Sequence, residues 1–163
     1  MILTVYRGQQ LRRSELNKLI PNTDHLIFNN SFLSTTFNRV LALLFAGSVS
    51  SSNSALSVSI LFEIEIDTSH TTRPYAYING SGDEAELIIT PGFVFRLLSV
   101  DKDNNTTMSN ELWLIKLKSA DHTEFLSETS TLLIGAGQPV VISFLPLFVV
   151  VKTKSPDETL EQG

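Results

Sequence analysis

The sequence predicts a strand-dominated α+β domain: two packed, mostly antiparallel β-sheets with short helices near the N-terminus. Three observations predict it. At least six runs are β-rich or alternate in polarity, whereas only two segments carry a clear helical pattern. Turn residues such as Asn29-Asn30 and Pro91-Gly92 punctuate the runs. The 163 residues suit one domain, and 42% apolar with 18% charged residues is a globular composition.

In chain order, "ILTVYRG" (2–8) reads as a strand ending in a glycine turn. "RSELNKLIP" (13–21) reads as a short helix capped by Ser14, with Leu16, Leu19 and Ile20 as its apolar stripe and Pro21 as its stop. "HLIFNNSFLSTT" (25–36) holds a strand or two, interrupted at Asn-Asn. "FNRVLALLFAG" (37–47) is the best helix, capped at Thr36, apolar nearly all round and closed by Gly47.

After a Ser-rich loop at 48–54, "ALSVSILFEIEID" (55–67) alternates Ile60, Phe62, Ile64 and Ile66 against Leu61, Glu63 and Glu65, the pattern of a half-buried strand. Four more strands fall at 73–78, 85–90, 93–100 and 111–118, with a polar hairpin loop at 101–110. The run 132–151 is twenty residues without a charge, long enough to span a bilayer. Pro139 and Pro146 make one straight helix costly. A pair of buried strands joined at Gln138-Pro139 fits as well, and membrane association is the lesser alternative.

Charge and composition exclude several functions. A net charge of −5 without a basic cluster argues against a nucleic-acid partner. The chain has no cysteine, and His25, His70 and His122 lack ligand spacing, so no metal is expected. The first ten residues do not form a secretory signal, which makes a cytoplasmic location the default expectation.

Three short stretches remain to be explained. In "VYRGQ", Arg7 stands at a strand position beside Gly8; such an arginine is usually a solvated charge, but guanidinium also clamps phosphate oxygens in bidentate fashion. In "FLSTT", one hydroxyl suffices for a helix cap, which leaves Ser34 and Thr35 unexplained. In "DEAELIIT", Glu84 and Glu86 are two residues apart, so a strand projects both on one face, where like charges repel. That costs stability unless a function requires it.

In this order, "VYRGQ", "SFLSTT" and "DEAELIITPGFVFRLLSV" resemble the arginine–serine–glutamate signature of mono-ADP-ribosyltransferases, the toxin-like and ecto-enzyme branch. The Pro-Gly turn, the Phe-x-Phe after it and "ALLFA" after the serine motif also match. The second motif departs in ending on Thr36 where the family usually has Ser, which preserves the hydroxyl. The resemblance spans roughly residues 2–118 and implies a catalytic core at 1–118, with 119–163 an unassigned C-terminal segment made of the apolar run 132–151 and a polar tail. Family members carry helices ahead of the arginine strand that help wall the NAD cleft, so a truncated or minimal form is implied.

The resemblance implies NAD as substrate, with no metal, and an acceptor protein with an exposed arginine as partner. Glu86 would stabilise the ribose cation formed when nicotinamide leaves, a charge fixed where positive charge develops. Ser34 would hydrogen-bond Glu86 and orient it. Arg7 would hold the pyrophosphate or adjacent ribose hydroxyls, Gly8 would offer backbone groups to the carboxamide, and Thr35 is a further cofactor-binding candidate. Phe45 would stack on nicotinamide, although a core position on an apolar helix explains it equally. Glu84 would orient and activate the acceptor, and a Glu here accompanies arginine acceptors in the family. Tyr75 and Tyr77 would shape the acceptor side, with strand packing as the simpler explanation. Two alternatives stand beside transfer: an NAD glycohydrolase that uses water, and an inactive binding module that keeps the core strands.

Overall fold

The computed structural model describes residues 1–47, 56–71, 73–80, 85–105, 111–127, 140–144 and 148–153. The first strand, β1 (Ile2–Arg12), runs straight through Gly8 and does not turn there. It feeds directly into α1 (Arg13–Leu19), continued by a 3-10 turn at Ile20–Asn22. Because the helix starts at Arg13, Ser14 already lies inside its first turn and is not the cap. Instead the Glu15 carboxylate accepts from the Arg12 backbone N–H at 3.3 Å. Leu16 and Leu19 are buried as the stripe predicts, whereas Ile20 is exposed and Pro21 sits within the 3-10 turn rather than beyond it.

Next come β2 (Leu26–Asn29), β3 (Leu33–Thr36) and α2 (Arg39–Gly47). The cap of α2 is Asn38, whose Oδ1 accepts from the Val40 and Leu41 N–H groups at 3.0 and 3.2 Å. Thr36 acts one step earlier, accepting from the Asn38 N–H. The strands β4 (Ser57–Asp67), β5 (Tyr75–Asn79), β6 (Ala85–Ile89), β7 (Val94–Asp103) and β8 (Leu112–Ser119) follow, and residues 122–127 are helical. Between β6 and β7 the chain turns at Pro91-Gly92, where Gly92 adopts φ 78°, a conformation glycine takes without strain. Asn29, fully buried, secures that turn. Its amide donates to the Ser31 and Thr90 carbonyls and its Oδ1 accepts from the Phe93 N–H.

The apolar run beyond 131 supplies β9 (Val140–Phe144) and β10 (Phe148–Thr153), an antiparallel pair. The link between them falls at 145–147 rather than at Gln138-Pro139. β10 also pairs with β2, and Phe148 is buried against Phe62 at 5.5 Å between ring centroids. Among the described residues no helix is long and apolar enough to cross a membrane.

The strand order is β5-β6-β3-β1-β4-β8-β7-β2-β10-β9. Among the described pairs only β4 with β8 is parallel. One joint in this ladder is weak. β1 and β3 share a single register pair, Tyr6 with Thr36, whereas β1 and β4 are paired along their whole length. At that joint the single ten-stranded ladder folds over, so that β5-β6-β3 and the other seven strands act as a smaller and a larger sheet around one core. Leu33, Leu87 and Ile89 of the smaller meet Val5, Ile60, Phe62, Ile64, Phe93 and Phe95 of the larger in one core. The larger sheet also curls: four strand spacings separate β4 from β10, about 19 Å if flat, yet Phe62 and Phe148 touch. Fully burying each large apolar side chain in this core contributes roughly 1.5–3 kcal/mol.

Candidate active site

The three signature stretches become three neighbouring strands. Arg7 lies on β1, Ser34 on β3 and Glu86 on β6, and Thr36 faces Tyr6 on one side and Glu86 on the other. Two strand spacings are about 10 Å, so 79 positions of sequence collapse to the reach of two side chains. Ser34 and Thr36 are two residues apart on one face of β3, which puts Ser34 diagonally across from Glu86. The Ser34 hydroxyl donates to Glu86 Oε1.

Arg7 stands where the two sheets part. Beyond the Tyr6–Thr36 pair β3 no longer ladders with β1, and the guanidinium spans the fork: Nη1 donates to the Ser34 carbonyl at 2.9 Å. Its Nε donates to Gln9 Oε1 at 2.8 Å. Among the described residues no carboxylate lies within ion-pair distance of it. Burial lowers the Arg7 pKa below the ordinary arginine value, the sign of a cation partly stripped of water without a compensating charge. An anion entering the fork would supply that charge.

A cavity of about 440 Å³ opens at this fork, within the range of small-molecule sites. Arg7, Gly8, Ser34, Thr35 and Glu86 line it, with Leu41 and Phe45 from α2 and Ile78 from β5. Helix α2 owes its position to Gly8. A Cβ at that residue would overlap the Ala42 carbonyl oxygen and fall 2.7 Å from the Ala46 nitrogen, so only glycine lets the helix lie this close to β1. Gln10 secures the other end, donating to the Ala46 carbonyl at 3.0 Å and to Ser59 Oγ at 3.2 Å. With Ala42 and Ala46 against the sheet, Leu41 and Phe45 are carried round to the cavity. Phe45 is 56% exposed, so it is not a core residue.

Other residues singled out from the sequence fall as follows. Thr35 is buried, and its hydroxyl donates to the Leu87 carbonyl at 2.7 Å across the β3–β6 pair, while the residue also lines the cavity. Tyr75 packs against the core, whereas Tyr77 is 57% exposed and meets Phe37 edge to face at 5.9 Å. Glu84 lies outside the described residues. Gln9, Leu41 and Ile78 were not anticipated. Ile78 is legible only from register, since it stands opposite Glu86, and Gln9 only from the bond it makes with Arg7 in the folded chain. Among the described residues no cluster of His, Asp and Glu is arranged to hold a metal ion.

No protein-family model and no curated protein matches the sequence. Solved structures do. The chain is similar to the ADP-ribosyltransferase Vis in complex with the inhibitor M6, with TM-score 0.55 and 24% identity over 76% of this chain. It is similar to the Vis toxin, an ADP-ribosyltransferase from Vibrio splendidus, with TM-score 0.54 and 25% identity over 76% of this chain. It also resembles Plx2a, an ADP-ribosyltransferase toxin from Paenibacillus larvae, with TM-score 0.50 and 13% identity over 74% of this chain and 62% of that one. The chain spans 50% of the length of both Vis structures. Its fold is that of the ADP-ribosyltransferase toxins.

Proposed function

We propose that this chain is a mono-ADP-ribosyltransferase that cleaves NAD at the nicotinamide–ribose bond and transfers ADP-ribose to an arginine of an acceptor protein. The observation that carries the proposal is the Ser34–Glu86 hydrogen bond beside an uncompensated Arg7, at the mouth of one cavity. A carboxylate held by a neutral hydroxyl is aimed in a fixed direction, with no built-in counter-ion among the described residues. That is what a developing ribose cation needs.

In this reading the C1′–N bond breaks with its electron pair going to nicotinamide, which leaves as a neutral ring and requires no general acid. Glu86 faces the cation at C1′. Arg7 pairs with the pyrophosphate and so holds the ribose in reach. Phe45, exposed on the cavity wall, offers a face on which nicotinamide stacks. The acceptor then attacks C1′, its nitrogen forming the new bond to C1′ and passing its proton to the Glu84 carboxylate. Glu84, two residues before Glu86, is assigned to orient that acceptor; a carboxylate matches a guanidinium in shape and charge, which favours arginine.

The test is incubation of the purified chain with NAD labelled in the adenosine half, with an arginine-rich protein as acceptor. Label bound to the acceptor and located on an arginine side chain by peptide mass spectrometry supports the proposal. Free ADP-ribose alone replaces it with an NAD glycohydrolase. Unchanged NAD leaves a binding module.

A further inference from the structure

We infer that Gln9 is a positioning residue for Arg7, a neutral hydrogen-bond acceptor that aims the guanidinium without neutralising it. The inference rests on the proposed NAD site and deepens it. On β1 the side chains of Val5 and Leu11 enter the core, and strand alternation places Arg7 and Gln9 on that same face between them. An apolar strand face is thus interrupted by two consecutive polar side chains, at the place where β3 parts from β1. Gln9 does not line the cavity. It stands behind Arg7, with Oε1 2.8 Å from Nε.

The geometry decides which donors remain. Guanidinium carries five N–H groups in a fixed plane. Gln9 takes the Nε–H and the Ser34 carbonyl takes one Nη1–H, so both ends of the plane are pinned by neutral oxygens. Among the described residues the rest of the fork, the second Nη1–H and both on Nη2, is left for a ligand. Rotation about the Cδ–Nε bond would break both contacts together, so the fork is held before the ligand arrives. Chemistry accounts for the amide. A glutamate at position 9 would reach Nε equally well but would pair with the cation, and a phosphate oxygen would then compete with a built-in carboxylate. Glutamine supplies the same acceptor with no charge. Burial lowers the Arg7 pKa, which agrees with a partly desolvated cation that has no counter-charge among the described residues.

Two variants separate this role from space-filling. Gln9→Glu keeps size and acceptor but adds the charge; Gln9→Leu keeps approximate bulk and removes the acceptor. Binding of NAD and of nicotinamide riboside, which lacks the pyrophosphate, is measured for each by calorimetry, together with thermal midpoints. We expect Gln9→Glu to weaken NAD binding about 10–100-fold, with Gln9→Leu weakening it about 10-fold, on the scale of one charge-assisted contact. Riboside affinity should be unchanged and midpoints should stay within a few degrees of wild type. Equal NAD affinity in wild type and a folded Gln9→Glu variant overturns the role of Gln9 alone. Parallel losses for NAD and the riboside also overturn it, since they indicate a general disturbance of the site. Should Gln9→Glu fail to fold, Gln9→Leu decides by the same comparison. A wild-type chain that binds neither NAD nor the riboside overturns the NAD reading itself, and the role of Gln9 with it.

Discussion

Glu86 meets Ser34 across one strand pair, while Arg7, two strands away, bonds the Ser34 carbonyl and forms no ion pair with a described carboxylate. In the proposed reaction Glu86 works at bond cleavage, whatever the acceptor, whereas Glu84 works only at transfer. Glu84→Gln is therefore expected to lower transfer to arginine by about 10²–10⁴-fold, the scale of a lost general base, while most NAD hydrolysis survives. Parallel assays of labelled acceptor and free ADP-ribose check it, and equal losses of both would refute the division. Arg7, Ser34 and Glu86 were legible because each sits in a short local motif and the three occur in a fixed order. Gln9 was not, because its contact depends on the rotamers of two side chains on one strand face. The Thr35 hydroxyl bond to Leu87 was hidden for a related reason: its direction is set by pairing with β6, which no local motif encodes.

Helix α2 shows how an element can be legible in extent and misread in role. Its apolar run was plain, and an apolar helix suggests a buried one. Yet Val40 and Leu44 are 65% and 64% exposed, while Ala42 and Ala46 are fully buried over Gly8. The contact that fixes the helix is thus between small residues, and it turns Leu41 and Phe45 toward the cavity. Gly8 looked like a turn because glycine weakens strands, but β1 continues four residues past it and the absent side chain serves the helix. Gly8→Ala is expected to push α2 off the sheet and destabilise the chain by about 1–3 kcal/mol, the usual cost of overpacking. Denaturant unfolding measures that cost. Activity should fall further than Gln10→Ala lowers it, since Gln10 loses only its hydrogen bonds to Ala46 and Ser59.

For the whole molecule, alternation and turn punctuation predicted the strands well, but register and closure lie beyond local pattern. That Tyr6 and Thr36 form the single register pair between the two sheets, leaving a fork beside it, follows from packing distant in sequence. Long-range polar ties are similarly hidden. Glu111, at the start of β8, joins Arg13 of α1 at 2.5 Å and Lys102 of β7 at 3.2 Å. The hydrogen bond from Arg13 is the main cause that holds its carboxyl at about 2, below the ordinary 4.5, against the opposing effect of burial; Lys102 and Trp113 add to the lowering. A depressed folded-state pKa stabilises above the unfolded value, and the benefit is lost as pH falls from 4.5 through about 2. Glu111→Gln is thus expected to cost about 1 kcal/mol at neutral pH, the scale of a partly exposed ion pair. The difference from wild type should shrink as the pH is lowered through that window, which unfolding curves at several pH values would follow.

The central claim is that Glu86, held by Ser34 at the fork between the sheets, stabilises the cation formed when nicotinamide leaves NAD. Its most direct measurement is the rate of free nicotinamide release from NAD by the wild-type chain and by Glu86→Gln, with both variants shown to be folded and to bind NAD. Release by wild type and a fall of at least about 10²-fold in the variant is the predicted result, because an amide brings no full charge to the developing cation. Undiminished release by Glu86→Gln would contradict the account.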